Sequence, residues 1–180
     1  AECWVYCTAH TNDYAGILAF SHDAQSTGWN ILVRSNGKLH FNVGMTYTDA
    51  TNSLPLNQWV HLALVRNGSG SGNCKLYING VADATTVTKT GTVTQPTFIQ
   101  IGQYPAIGAR AFTGNISDVR VVNGTAVYTS NFTPTTTPLT AVTNTKLLIQ
   151  STDAGIIDKA QNARKTLLVG NTKSSTTQTK

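Results

Sequence analysis

Charge is scarce in this chain, and acidic charge is the scarcest. Charged residues make up 12% of the 180 residues, and the 8 acidic residues include a single glutamate, Glu2. The usual charged fraction is about 25%. Thr, Ser, Asn and Gln supply most of the polar surface instead. Together with 15 glycines and many β-branched residues, this composition favours strands that are joined by tight turns.

Long apolar runs are also missing. No segment approaches the roughly 20 apolar residues of a membrane-spanning helix, and no secretory signal pattern is present, so we expect no membrane partner. The chain opens on Ala1 inside a strand-like alternation, without an initial Met, which suggests a fragment or a processed product. At 180 residues the length fits one domain that has its own core.

Cysteine is too rare, and too unevenly placed, for a disulfide framework. Cys3 and Cys7 share one face of a strand but lie too far apart along it to bridge. A bond from either of them to Cys74 stays open, and the alternative is that all three are small buried thiols. No His/Cys spacing matches a zinc site.

The net charge of +5 raises the question of nucleic-acid binding, but most of it lies near the C-terminal end. Residues 146–180 carry 6 basic and 2 acidic side chains, which is +4, so residues 1–145 are nearly neutral. No cluster of Arg and Lys alternates with aromatic residues, as a groove for single-stranded nucleic acid requires. We therefore expect no nucleic-acid partner.

Short apolar alternations recur along the chain and are separated by turn residues. Asn36-Gly37 and Asn79-Gly80 predict tight hairpins, because both positions of such a turn accept positive φ. Residues 125–132 and 156–163 have helix-compatible patterns, and both are short. Two later runs, "KLLIQS" and "KTLLVGN", predict further strands. The pattern as a whole is typical of an all-β sandwich.

Several motifs, taken in order, carry a resemblance to a known family. They are "ECWVYC" at 2–7, "WVHLALVR" at 59–66, "KLYINGV" at 75–81 and "FTGNISDVRVVNGTAVYTSNFTP" at 112–134. This order resembles a laminin G-like domain, of the kind found in phage tail-fibre and virion proteins and in bacterial surface proteins. The resemblance implies the concanavalin A-like fold, a two-sheet antiparallel jelly-roll sandwich. This sandwich hosts lectins, adhesion modules, enzymes and spacers, so the resemblance says less about function.

The resemblance also suggests how the chain is divided. It implies a laminin G-like sandwich over residues 1–145 and a C-terminal extension over 146–180. Strands that usually precede the "ECWVYC" motif in the family are missing, so the extension either completes the sandwich edge or begins a following tandem domain. The resemblance further implies a helical clip at residues 125–132, which Tyr128 and Phe132 would anchor to the sheet.

Catalytic residues are not evident. Laminarinase-type glycosidases share this sandwich and carry paired carboxyl groups in a Glu-x-Asp-x-x-Glu motif, which a chain with one glutamate cannot supply. No Gly-x-Ser-x-Gly elbow is present, and His61 lies in an apolar strand where a packed core histidine is expected. We therefore predict no catalytic residues and no enzyme activity.

Metal ligands are equally sparse. His10 and His22 fall in expected loops near Asp13 and Asp23, without a specific spacing. Asp49 lacks the second nearby carboxylate that a calcium site usually needs. We predict no metal and no cofactor.

Sugar binding remains as a candidate activity. It needs exposed aromatic rings that stack on the apolar face of a sugar, with polar side chains for its hydroxyl groups. The candidate ligand-binding residues at strand ends and in loops are Trp29, Tyr47 and Tyr104, with Arg34, Gln103 and Arg110. The alternative for Trp29 is a core position, and for Tyr104 it is packing beneath its own loop.

The sequence thus predicts a non-enzymatic surface module that attaches to a glycan or host surface through rim loops. The alternative is a purely structural spacer or decoration domain of a phage tail, capsid or extracellular filament. Its partners would then be other copies or neighbouring structural proteins. The resemblance implies a location on the virion surface, in a phage tail or fibre, or on the bacterial cell surface.

Overall fold

The computed structural model describes residues 1–20, 27–93, 98–104, 110–152 and 155–161, together with residues 166, 173 and 174. Fourteen strands and no helix are found in this part of the chain. The predicted strand "KTLLVGN" lies outside it, apart from Thr166. The strands are β1 Glu2–Ala9, β2 Ala15–Phe20, β3 Trp29–Val33, β4 Lys38–Val43, β5 Thr46–Ser53, β6 Trp59–Arg66, β7 Cys74–Ile78, β8 Val81–Val87, β9 Gln100–Ile101, β10 Gln103–Tyr104, β11 Arg110–Ala111, β12 Thr113–Val122, β13 Thr145–Thr152 and β14 Gly155–Asp158.

The strands form two sheets. The first sheet has the order β14-β13-β12-β1-β6-β7-β8, and the second has the order β10-β11-β2-β3-β4-β5, with β9 also pairing with β2. Pairing between the described strands is antiparallel except between β11 and β2, where Ala111 and Gly16 pair in parallel. The prediction of an all-β, two-sheet antiparallel jelly-roll sandwich is confirmed.

The core lies between the two sheets, and strand alternation fills it. Along β6, Val60, Leu62 and Leu64 face this layer, whereas His61 and Ala63 point to the outer side. Burying an aliphatic or aromatic side chain of this size stabilises the fold by roughly 1.5–3 kcal/mol. The layer therefore supplies most of the driving force for stacking the sheets.

The three cysteines are buried as free thiols, and neither Cys3 nor Cys7 forms the possible disulfide with Cys74. Burial raises the pKa of Cys3, Cys7 and Cys74 above the ordinary thiol value. A neutral buried thiol packs as a small apolar side chain. These residues are therefore part of the core rather than reactive sites.

Both predicted Asn-Gly hairpins form, but with different turns. Asn79 and Gly80 have φ of 49° and 79°, as the predicted two-residue turn requires. At the other hairpin only Gly37 has positive φ, at 83°, and its N–H donates to the carbonyl of Arg34. That hydrogen bond closes a type I turn ahead of the glycine, so the prediction of positive φ at Asn36 is wrong.

The clip, residues 125–132, is not helical, so that prediction is wrong. Its side chains hold it as an irregular segment across the outer face of the first sheet. The rings of Tyr128 and Phe132 stack with centroids 3.6 Å apart and pack on the cluster that contains Ala63 and Tyr77. Anchoring of the clip by Tyr128 and Phe132 is thus confirmed, and these tertiary contacts outweigh a weak local helix propensity.

A buried polar network lies beneath the clip. Glu2 is 3% exposed and accepts hydrogen bonds from Arg120 at 2.6 and 2.9 Å. The hydroxyl of Tyr128 donates to Glu2 at 2.7 Å, and His61 lies 3.1 Å from the same carboxylate oxygen. Burial pushes the pKa of Glu2 upward, but these partners outweigh it and hold the pKa below its ordinary value. The expected packed, hydrogen-bonded role of His61 is confirmed.

The C-terminal part of the described chain extends the first sheet. β13 pairs with β12, and β14 pairs with β13. The predicted helix over 156–163 is wrong for residues 156–158, which belong to β14. One oxygen of Asp158 accepts hydrogen bonds from the N–H groups of Leu148 and Ala160, which fixes the end of this hairpin. The domain boundary at residue 145 stays a prediction.

Candidate functional site

The outer face of the second sheet carries a set of polar and aromatic side chains. In β3 and β4 the residues facing the core are aliphatic or aromatic, such as Val33 and Phe41. The side chains at the alternate positions, such as Leu32 and His40, pair across the hairpin on the outer face. The same alternation directs Arg34, which follows β3, to that face. The hairpin at Asn36-Gly37 therefore sets which side chains appear there.

Arg34 is at the centre of this set. Its Nε and Nη2 donate to the two carboxylate oxygens of Asp13 at 2.7 and 3.3 Å, and its Nη1 donates to Asp49 at 3.1 Å. Its guanidinium carbon also lies 4.1 Å from the centroid of the Tyr14 ring, in a cation–π contact. The hydrogen bond from Arg34 lowers the pKa of Asp13. Arg34 thus ties a loop before β2 to the edge strand β5.

His40 continues the set towards β5. Its Nδ1 lies 2.7 Å from Asp49, and its ring meets the Tyr14 ring edge-on at 5.0 Å. The Tyr47 ring lies beyond it, at 5.9 Å between centroids. Burial, together with the charge of Arg34, lowers the pKa of His40 although Asp49 and Asp13 favour a higher value. The imidazole is therefore neutral at pH 7 and donates its Nδ1 proton to Asp49.

The other end of the set comes from β10 and β11. The guanidinium carbon of Arg110 lies 5.4 Å from the Tyr14 ring centroid and 5.9 Å from the Tyr104 ring centroid. Tyr104 is only 4% exposed and packs with Ala19 and Leu32. We call the whole set the tyrosine–arginine row: Tyr104, Arg110, Tyr14, Asp13, Arg34, His40, Asp49 and Tyr47. The row crosses the sheet from one edge to the other.

Four of the six predicted site residues lie in the row: Arg34, Tyr47, Tyr104 and Arg110. Tyr47 is 68% exposed, whereas Tyr104 is buried beneath Arg110, in line with its alternative as a packed residue. Gln103 is exposed on β10, next to the row in sequence. Trp29 lies elsewhere: it stacks on Phe20 at 3.5 Å and packs against the core, as its alternative stated.

The sequence interpretation missed Tyr14, and it did not select His40, Asp13 or Asp49 as sugar-binding residues. His40 could have been found from the hairpin register, because it pairs with Leu32 on β3 and with Asp49 on β5. Tyr14 lies in a loop with φ of 58°, and no local pattern predicts where its ring points.

The described residues contain no group of three or more His, Cys, Asp or Glu side chains that could hold a metal ion. In the row, Arg34 occupies the space between the carboxylates of Asp13 and Asp49. Likewise, no helix with the length and apolarity of a membrane span occurs in the described residues.

Comparison with known families agrees with this architecture. The model of the concanavalin A-like lectin/glucanases superfamily matches residues 1–131. The chain therefore belongs to this family, as the resemblance implied. A search of curated protein sequences gives no significant match.

Two solved structures are similar to this chain at low identity, and the first of them shows the same fold. A candidate carbohydrate-binding protein from Bacteroides ovatus ATCC 8483 is similar with a TM-score of 0.64 and 18% identity, over 90% of this chain and 49% of that one. The heptameric SAP-like pentraxin from Limulus polyphemus is similar with a TM-score of 0.44 and 21% identity, over 65% of this chain and 59% of that one. The chain thus spans about half the length of the Bacteroides protein.

Proposed function

We propose that the protein binds a glycan, without cleaving it, through the tyrosine–arginine row. The observation that carries the proposal is the position of Tyr47, whose ring is 68% exposed beside the hydrogen-bonded groups of His40 and Asp49. Two further facts support it: the family includes lectins, and a structural neighbour is described as a candidate carbohydrate-binding protein.

The row offers the chemical groups that a sugar needs. An exposed tyrosine ring can stack on the apolar face of a pyranose, and carboxylate and guanidinium groups can bond adjacent hydroxyls. Asp13 and Asp49 are already held by Arg34, so their orientation is fixed before a ligand arrives. Fixed groups lose less conformational entropy on binding, which favours recognition on an open surface.

The electrostatics of the same carboxylates support binding rather than glycoside hydrolysis. A glycosidase needs one carboxyl group with a raised pKa, which acts as the general acid. Here the hydrogen bond from Arg34 lowers the pKa of Asp13. Burial favours a higher pKa for Asp49, but His40 and Arg34 outweigh it and lower that pKa as well. Both groups are therefore ionised at neutral pH, and neither can supply the proton.

The proposal predicts that Tyr47→Ala weakens glycan binding without weakening the fold. Loss of one stacking ring should lower the apparent affinity of multimerised protein on a glycan array about tenfold, which is about 1.4 kcal/mol. The thermal unfolding midpoint should not change, because the ring is exposed.

Val81→Ala is the matched control, since Val81 is 57% exposed on an edge strand of the other sheet. Equal loss of binding in both variants, or unchanged binding in Tyr47→Ala, would contradict the proposal.

The proposal extends to the setting in which such a module acts. Display in many copies on a virion surface or on a bacterial surface would let a weak site bind by avidity. The support for this setting is the low charge and the Thr-, Ser- and Asn-rich composition, together with the laminin G-like motifs.

A structural spacer is the second candidate, and one observation favours it. Within the described residues the first sheet ends in β8 and β14, and these two strands carry the exposed apolar residues Val81 and Ile157. Exposed strand edges of this kind can pair with a neighbouring copy. Concentration-dependent assembly in sedimentation, combined with no glycan binding at any density, would favour this candidate.

A further inference from the structure

The two arginines of the row differ in what they already bind. Arg34 donates through Nε, Nη1 and Nη2 to two carboxylates, Asp13 and Asp49. Its charge is therefore offset within the protein, and its planar face lies against Tyr14. Arg34 serves to hold the row together.

Arg110 is placed differently. It is half-buried on β11 and makes no hydrogen bond or ion pair with the described residues, whereas its guanidinium carbon lies within 6 Å of two tyrosine rings. The aromatic contacts orient the group without using its N–H donors. A guanidinium presents five such donors in a rigid fork, and this fork matches a carboxylate in a bidentate contact.

The charge of Arg110 is not paired with a carboxylate of the described residues, so it can attract an anionic ligand. The charge of Arg110 contributes to the lowered pKa of Asp13, but both oxygens of Asp13 are bonded to Arg34 at 2.7 and 3.3 Å. His40 is held neutral at pH 7 by burial. Arg110 is thus the cation of the row whose donors are not satisfied by the described residues.

We propose that Arg110 binds the carboxylate of an acidic sugar, so that the ligand contains a uronic acid residue. This inference rests on the proposed glycan binding and adds a ligand class to it. The uronate would place its carboxylate on the Arg110 fork while its ring and hydroxyl groups reach Tyr14 and the Arg34 pair.

The test is a comparison of matched acidic and neutral glycans. Multimerised protein is assayed on oligosaccharides that contain glucuronate or galacturonate, and on the same compounds as methyl esters, which keep the hydroxyl groups but lose the charge. We expect about tenfold tighter binding to the acids, a preference that weakens as salt is raised. Arg110→Gln should remove this preference, so that the acids and their esters bind equally.

Two control variants separate charge from fold and position. Arg110→Lys keeps the charge but lacks the fork, so the preference should fall without vanishing. Lys146→Gln makes the same charge change on β13 of the other sheet, where the side chain is exposed, and should have no effect. Thermal unfolding of each variant shows whether the fold is intact.

The possible failures are distinguishable. Equal binding to acids and esters, or an acid preference that survives Arg110→Gln, overturns the uronate inference and leaves glycan binding standing. Absence of binding to any glycan at any density overturns both.

Discussion

At the scale of single residues, a few carboxylates each organise several groups. Asp83 on β8 is the clearest example: one oxygen accepts the N–H groups of Thr51 and Thr85, each at 2.9 Å. The other oxygen accepts the backbone and side-chain N–H groups of Asn52 at 3.0 and 2.8 Å. Thr51 and Asn52 belong to β5, the edge of the second sheet, so this carboxylate joins the edges of both sheets.

These hydrogen bonds predict a pH-dependent contribution to stability. Burial favours a higher pKa for Asp83, but the bonds from Thr51, Thr85 and Asn52 outweigh it and lower the pKa from 3.8 to about 2. A carboxylate whose pKa is lower in the folded state than in the unfolded state stabilises the fold at pH values above its unfolded-state pKa. That stabilisation is lost as the pH falls through its folded-state pKa. The contribution should therefore be complete at pH 5 and above and disappear between about pH 4 and pH 2.

Asp83→Ala should lower the free energy of unfolding at pH 7 by about 2 kcal/mol, because it leaves backbone donors of β5 without a partner. Urea unfolding at several pH values measures this difference, which should narrow as pH falls from 4 to 2. Asp83→Asn keeps one acceptor oxygen and cannot ionise, so it should show a smaller loss at pH 7. A difference between wild type and Asp83→Ala that is the same at pH 2 and pH 7 would rule out the ionised carboxylate as its source.

At the scale of elements, the clip and the β7–β8 turn depend on one another. The N–H of Phe132 donates to the carbonyl of Gly80 at 2.9 Å, and the side chain of Asn131 accepts the N–H of Ala82 at 3.0 Å. A Cβ atom on Gly80 would collide with the carbonyl oxygen of Phe132. The glycine is therefore needed for close approach as well as for its positive φ.

Matched Gly→Ala substitutions separate the effect of the close approach from the effect of the positive φ. Gly80 and Gly68 each follow an asparagine and have φ of 79° and 73°, but a Cβ on Gly68 would meet nothing within 4 Å. Gly68→Ala should cost roughly 1–2 kcal/mol from backbone strain alone. Gly80→Ala should lower the free energy of unfolding by about 2 kcal/mol more than Gly68→Ala does, because the new Cβ displaces the clip as well.

Chemical denaturation gives both stabilities, and hydrogen exchange of residues 125–132 reports on the clip directly. We expect faster exchange there in Gly80→Ala and unchanged exchange in Gly68→Ala. Equal losses of stability, with the clip protected in both variants, would show that the contact with Phe132 does not hold the clip.

Elements also show what the sequence could and could not predict. Alternation and the Asn-Gly turns predicted β3, β4, β7 and β8 correctly, since these strands are fixed by neighbours in sequence. The clip was predicted as a helix from a short helix-compatible pattern and from the family resemblance. The contacts that decide its shape come instead from Tyr77 and Glu2, far away in the chain.

The candidate site was harder to predict for the same reason. Arg34 and Tyr47 stood out from their place at strand ends. The row, however, also needs Tyr14 from a loop and Arg110 from β11, and β11 lies beside β2 through a parallel pairing of Ala111 with Gly16. A sequence pattern carries no signal for that pairing, so Arg110 could be named from the sequence but not placed beside Tyr14.

At the scale of the whole molecule, the outer faces of the two sheets differ in how far they are covered. The outer face of the first sheet lies under the clip, and its polar groups, such as Glu2 and Arg120, are bonded to each other and buried. The outer face of the second sheet presents the tyrosine–arginine row, with Tyr47 and part of the Asp13 side chain open to solvent. Under the proposed function, the first face stabilises the fold and the second face binds the glycan.

The most direct test of that assignment is an NMR titration of the isotope-labelled protein with a glycan that it binds on the array. We expect the amide shifts that change to cluster at residues 13–14, 34, 40, 47–49 and 110–111, on the outer face of the second sheet. Changes confined to the first sheet or to the clip, with the row unaffected at saturating glycan, would contradict it.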